Sequence, residues 1–335
     1  MEQSAYHVLA KRTSGSYTEL ARLKERYGTW RFALKEKFGQ TASDEDLLDL
    51  EPIPARLILK EEIGFPVLLR EMPNPPHGIY VIGKLDGQKT VGIVGTRKAT
   101  PSGLDASYAF ASFLAEHKII VISGLAFGID AEAHRGATDA KGISLAVLPC
   151  GIDSIYPKTH KALAEKILAL GGALISEYPP GIPALPYRFL ERNRVISGLS
   201  SAIVVIEAPM RSGSLATTRF ALEQNREIFV VPGPATHRNY KGSHALIRSG
   251  ARLVTSPEEI LSDMNIETSV EETLSQDESA VLRTIQGSAE PLVVDEIIGR
   301  TTLTTSAVCC ALSLLALKGI IRENGGGYTI IDTHT

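Results

Sequence analysis

Between residues 91 and 233, short apolar runs alternate with longer amphipathic stretches, and this alternation leaves the chain few architectures to choose from. VGIVG (91–95), IIVIS (119–123), ISLAVL (143–148), GALISE (172–177), AIVVIEA (202–208) and EIFVVPG (227–233) each read as a strand buried on both faces. The stretches between them predict helices from Ser102 to His117, around Asp130 to Asp139, around Thr159 to Leu170 and from Ser214 to Asn225. Strands that are apolar on both sides and separated by helices need helices above and below them. The expected fold class is α/β, a doubly wound parallel sheet.

The flanks differ. Residues 1–70 read as a small helical N-terminal unit, with Leu20, Leu23, Tyr27, Trp30 and Leu34 on one face, ending at the Pro-rich stretch Pro73, Pro75 and Pro76. Residues 71–262 hold the sheet, and 263–277 form an acidic, Ser/Thr-rich linker. Residues 278–332 predict helices Ser279–Ile285, Val293–Gly299 and Thr305–Lys318, then a ribbon Ile320–Arg322 turning through Gly325, Gly326 and Gly327 into Tyr328–Ile331. Three helices followed by a hairpin suggest a C-terminal winged helix.

With 44% hydrophobic and 22% charged residues in 335, collagen-like, coiled-coil and disordered classes are excluded. The uncharged stretches are too short or too polar to span a bilayer, and Met1 is followed by Glu2 and a polar run, so a cytoplasmic protein without membrane contact is expected. Cys150, Cys309 and Cys310 give neither a disulfide framework nor metal-ligand spacing. The net charge of −3 is unevenly spread: residues 1–70 are neutral, 71–262 carry +4 and 263–335 carry −7. A polyanion would choose the middle segment.

In an open parallel sheet, ligands bind beyond the carboxyl ends of the strands. Three small-residue loops fall there. Gly95 and Thr96 permit a tight turn with Arg97 and Lys98 beside it; Ser123 and Gly124 precede a helix; Ser212, Gly213 and Ser214 open another next to Arg211. Gly and Ser are common at such turns in any α/β protein, but three on one edge, two with basic neighbours, favour an anion site. GxGxxG is absent from the first turn and GxxxxGK[ST] from the whole chain, so no nucleotide cofactor is expected. Residues 188–194 set Arg188, Arg192 and Arg194 around Phe189, the combination by which phosphates meet guanidinium groups while a base stacks on a ring. The plainer reading is a cluster that pairs with Glu177 and Glu191 on a solvated face. Asn193 between two arginines can read base edges or orient the loop. His134, His160 and His244 are expected to pack or hydrogen-bond, since no third ligand stands at metal spacing.

The ordered set VGIVGTRKAT, SGLAFGIDAEAHRGAT, LAVLPCGIDSIYPKTHKAL, ISEYPPG, FLERNRVISGLS, VVIEAPMRSGSLATT, IFVVPGP and KGSHALIRSGA, nearly unbroken from residue 91 to 251, resembles the DNA-processing protein A family (DprA, also called Smf). The last segment, LALKGIIRENGGGYTI, looks like the family's winged-helix end. The resemblance implies a Rossmann-like domain that binds single-stranded DNA without hydrolysing it, forms a homodimer and helps load RecA recombinase during natural transformation. It carries DNA contacts to Arg97, to Phe189, Arg192, Asn193 and Arg194, and more loosely to Ser212, Gly213 and Ser214.

Two other functions stand beside this one. A phosphoribohydrolase on a related fold would need a PGGxGTxxE loop, but RSGSLATTRFALE has Gly213 without GGxGT or a Glu at matching spacing. A transcriptional regulator would present a basic recognition helix, and the tail's −7 charge opposes that.

Overall fold

The computed structural model describes residues 1–85, 89–265, 275–288, 290–317, 320–324 and 326–330. They belong to two compact units, Met1–Glu267 and Thr268–Thr335.

The first unit is built on nine strands: β1 (Arg56–Leu59), β2 (Gly78–Gly83), β3 (Thr90–Val94), β4 (Ile120–Ser123), β5 (Ser144–Leu148), β6 (Ala173–Ser176), β7 (Ala202–Val205), β8 (Glu227–Val230) and β9 (Arg252–Leu253). Their order across the sheet is β1-β2-β6-β5-β4-β3-β7-β8-β9. The seven strands from β6 to β9 run parallel, while β2 lies antiparallel to β6 and β1 antiparallel to β2. From β3 the chain steps outward through β4, β5 and β6, then returns to β7 on the other side of β3 and steps outward again. The reversal between β3 and β7 opens a crevice at their carboxyl ends.

Helices cover both faces: α1 (Glu2–Arg12), α2 (Tyr17–Tyr27), α3 (Trp30–Phe38), α4 (Val67–Arg70), α5 (Pro101–Glu116), α6 (Ile129–Asp139), α7 (Lys161–Ala169), α8 (Pro186–Leu199), α9 (Gly213–Glu223), α10 (Lys241–Arg248) and α11 (Pro257–Asp263). Alternation along β3 shows how. Val91 and Ile93 enter the core with Phe110 and Leu114 of α5, whereas Val94 joins Leu69 of α4 and Val195, Ile196 and Leu199 of α8 on the opposite face. Every residue of β3, β4 and β5 is buried. That is why these strands read as unbroken apolar runs.

Two expectations change at the N-terminus. Residues 1–70 do not stand apart from the sheet: Tyr6, Leu9, Trp30 and Leu34 share one core with Tyr80, Ala146, Leu148 and Leu174, and Arg56–Leu59 supplies the edge strand β1. Large apolar side chains on three short helices cannot cover one another, so they close over the sheet. The stripe from Leu20 to Leu34 is also broken, because Gly28 takes φ +74° to end α2 and Thr29 starts α3 by accepting a bond from the Phe32 amide at 3.2 Å.

The second unit contains α12 (Gln276–Gln286), α13 (Val294–Arg300), α14 (Thr305–Leu317) and the antiparallel ribbon β10 (Ile321–Asn324) and β11 (Gly327–Ile330), a winged-helix order. Its own core holds Val281, Ile285, Ile297, Val308, Leu312, Leu315 and Ile321. The expected positions at Lys318, Gly325 and Ile331, and most of the expected linker, lie outside the described residues. No single helix among the described residues is long and apolar enough to cross a membrane.

Candidate functional site

The crevice at the β3/β7 reversal has a volume of about 810 Å³. One wall is the loop after β3. Gly95 must be small there, since a Cβ would stand 2.5 Å from the Ile129 side chain. The Thr96 hydroxyl accepts from the Lys98 amide at 3.2 Å, turning the chain so that Arg97 and Lys98 stay exposed. The facing wall is the start of α9. Ser212 caps this helix, the Ser212 and Ser214 hydroxyls lie 2.8 Å apart, and Gly213 is exposed. The first-turn amides of a helix carry partial positive charge and attract anions.

Helix α8 forms the floor, and here the structure departs most from the sequence reading. The Arg-rich segment is a helix, not a loop: Pro186 starts it, and the chain turns extended at Ser200. Its arginines are buried side chains. Arg192, 4% exposed, donates through Nη1 to the carbonyls of Gly124 (2.6 Å) and Val147 (2.5 Å), tying together the ends of β4 and β5. Burial lowers its pKa to about 10, which still leaves it charged at neutral pH. Asn193 receives a bond from Arg192 Nε at 3.2 Å and donates to the Gly213 carbonyl at 3.1 Å, so α8 also holds the start of α9.

The expected site residues therefore separate. Gly95, Thr96, Arg97, Lys98, Phe189, Arg192, Asn193, Arg211, Ser212, Gly213 and Ser214 all line the crevice. Ser123, Gly124 and Arg194 do not. Ser123 is fully buried and donates to the Ile93 carbonyl at 2.6 Å, while Gly124 lies under the Arg192 guanidinium, where any Cβ would overlap it. Arg194 forms a buried ion pair with Glu177, donates to the Asn74 carbonyl at 2.6 Å and lies 4.7 Å from the Tyr17 ring centroid, fastening α2 to α8. The pairing with Glu177 is thus internal, and Glu191 instead accepts from the Tyr178 hydroxyl at 2.6 Å. Arg188 is likewise spent on the Pro183 and Ser14 carbonyls.

Three further residues escaped the sequence reading. Glu207, fully buried past the end of β7, accepts from the Thr100 amide and hydroxyl, from Asn239 Nδ2 at 2.8 Å and from the Tyr240 hydroxyl at 2.9 Å. It locks the first wall to residues 238–240 and so brings Arg238 to the rim. A carboxylate inside the apolar run AIVVIEA is the signal that could have found it. Asp130 lines the crevice too; burial raises its pKa, opposed by Arg192 and by the amides of Ala126 and Gly124.

Among the described residues, Arg97, Lys98, Arg192, Arg211 and Arg238 set five cations against one lining carboxylate, Asp130. The Arg97 guanidinium lies 4.5 Å from the Phe189 ring centroid, placing positive charge and a flat apolar surface side by side. Among the described residues no cluster of three His, Cys, Asp or Glu side chains could hold a metal ion. His134, four residues after Asp130 on α6, is buried and accepts from the Leu125 amide at 3.3 Å through Nε2, so Nδ1–H donates to Ser144 Oγ at 2.7 Å.

Comparison with known proteins gives this geometry a family. The profile of the DNA recombination-mediator protein A family matches residues 56–265, and that of the DprA winged helix domain matches 267–327. Protein Smf of Escherichia coli is 36% identical over 304 residues, 87% of this chain and 81% of the relative. Among solved structures, DNA processing protein A of Streptococcus pneumoniae aligns with a TM-score of 0.67 and 29% identity, over 78% of this chain and 97% of that one. DNA processing protein A of Helicobacter pylori, solved to explain its single-stranded DNA binding mode, aligns with a TM-score of 0.57 and 26% identity, over 64% and 97% of the two chains. With its sheet, crevice and winged helix in this order, the chain belongs to the DNA recombination-mediator protein A (DprA/Smf) family.

Proposed function

We propose that the β3/β7 crevice binds single-stranded DNA, and that the chain protects incoming strands and helps load RecA recombinase onto them during natural transformation. The observation that carries this reading is the convergence of Arg97, Lys98 and Arg211, the first turn of α9 and the Phe189 ring on one open crevice. Phosphates meet the cations and amides while a base reaches the aromatic side. The Helicobacter pylori relative's single-stranded DNA binding mode supports it. In this reading the protein works in the cytoplasm as a homodimer, without a cofactor.

It is a binder and not an enzyme. Among the described residues Asp130 is the one carboxylate lining the crevice, and its partners are the Gly124 and Ala126 amides and the Arg192 charge, with no histidine or second carboxylate in the lining to pair with it. Fluorescence anisotropy with labelled oligo-dT tests the binding reading, with excess duplex as competitor. Affinity that falls steeply with salt is expected, together with no release of adenine from AMP. RecA-dependent ATP hydrolysis on strands coated with single-strand-binding protein tests the loading step. Salt-independent binding, or preference for duplex, sinks the proposal.

A further inference from the structure

We infer that the strand leaves the crevice over an aromatic track made by Tyr156 and Phe127, with Lys158 beside it; this rests on the single-strand reading above. Tyr156 lines the crevice and is 43% exposed, its ring edge-on to Phe189 at 5.3 Å between centroids. Arg97 already lies over the Phe189 ring, so the open flat surface at this end belongs to Tyr156. Its loop is pinned. The Gly151 amide donates to the Ile182 carbonyl at 2.7 Å, and Asp153 accepts from the Gly181 amide at 3.0 Å.

Phe127 continues the surface. It follows Ala126, another crevice-lining residue, is 49% exposed and meets the buried His160 ring edge-on at 5.0 Å. His160 ends the single helical turn Lys158–His160, which begins two residues after Tyr156. Two exposed rings and the exposed Lys158 thus stand on adjoining loops past the ends of β4 and β5, on the same sheet edge as the crevice. Exposed rings offer a flat surface that any base can cover, since every base has a face to stack. The crevice grips phosphates and takes a base at Phe189; the track takes the bases that follow.

The test is anisotropy titration of the full chain with oligo-dT and with an abasic strand of equal length. Tyr156→Ala and Phe127→Ala should each weaken oligo-dT binding about tenfold, or about 1.4 kcal/mol, leaving the abasic strand within about twofold and the salt slope unchanged. Lys158→Ala should lower the salt slope by about 0.7 on both strands. In a Phe189→Ala background, Tyr156→Ala should cost about tenfold again, which mere support of Phe189 does not predict. Tyr156→Trp adds a direct readout: its emission should be quenched by oligo-dT and not by the abasic strand. Unchanged oligo-dT affinity, or equal losses on both strands, overturns the track. If the unsubstituted chain does not bind oligo-dT and Arg97→Ala changes nothing, the proposed function itself has failed.

Discussion

Replacing Arg194 by alanine should damage the fold and spare the crevice. Its side chain is 9% exposed and faces that of Glu177 at 8%, and its guanidinium donates to the Asn74 carbonyl and lies over Tyr17. Removing one member of such a pair strands the other charge in the interior, at a cost of about 3–5 kcal/mol. For a unit of this size each kcal/mol lowers Tm by about 2–4 °C, so a drop of about 6–20 °C is expected by calorimetry or circular dichroism. The deficit should depend on pH. Burial already raises the Glu177 pKa, with Arg194 opposing, and without Arg194 it rises further. A carboxyl whose folded pKa exceeds the unfolded value binds more protons in the folded state, so stability falls as pH rises through that range. The variant should therefore be closest to the parent below the ordinary carboxylate range and fall further behind it as pH rises. At a temperature where both are folded, oligo-dT affinity should agree within about twofold. An unchanged Tm with lost DNA binding would refute the assignment of Arg194 to the interior.

Arg97→Ala should behave oppositely, keeping Tm while reducing the salt slope of oligo-dT binding by about 0.7, because this exposed guanidinium makes no salt bridge among the described residues. Gly124→Ala should cost about 1–3 kcal/mol in chemical denaturation and weaken DNA binding as well, since the new methyl displaces the Arg192 guanidinium that ties β4 to β5. Burial lowers the His134 pKa to about 3 and that of His77 to about 4. Between those values and the unfolded one near 6.5, the unfolded chain binds more protons, so Tm should fall as pH drops below about 6.5. His134→Gln should flatten that dependence. Removing residues 268–335, which have a separate core, should leave oligo-dT affinity nearly intact; a collapse would assign the winged helix to the binding site.

The central strands were legible because each must be apolar on both faces, a pattern no solvent-facing element imitates. β1 and β2 were not, since RLIL and GIYVIG are isolated runs set among prolines, and the strand that ties the pair to the sheet, β6, lies far along the chain. The walls of the crevice could be read from small residues beside cations at strand ends. Its floor was placed through Phe189, Arg192 and Asn193, but the burial of the α8 arginines was not legible. An arginine in a sequence looks the same whether it points at solvent or spends every N–H on buried carbonyls, and only the packing of α8 distinguishes Arg192 and Arg194 from Arg97.

The reversal between β3 and β7 also sets when the molecule becomes competent. The Arg97 wall is translated more than a hundred residues before Ser212, and the α8 floor comes between them. At ribosomal rates the interval is on the order of 10 s. On the proposed single-strand reading, a nascent chain halted near Leu199 would hold one bank of the channel and its bed but no opposite shore, so strand capture would report that synthesis has passed α9.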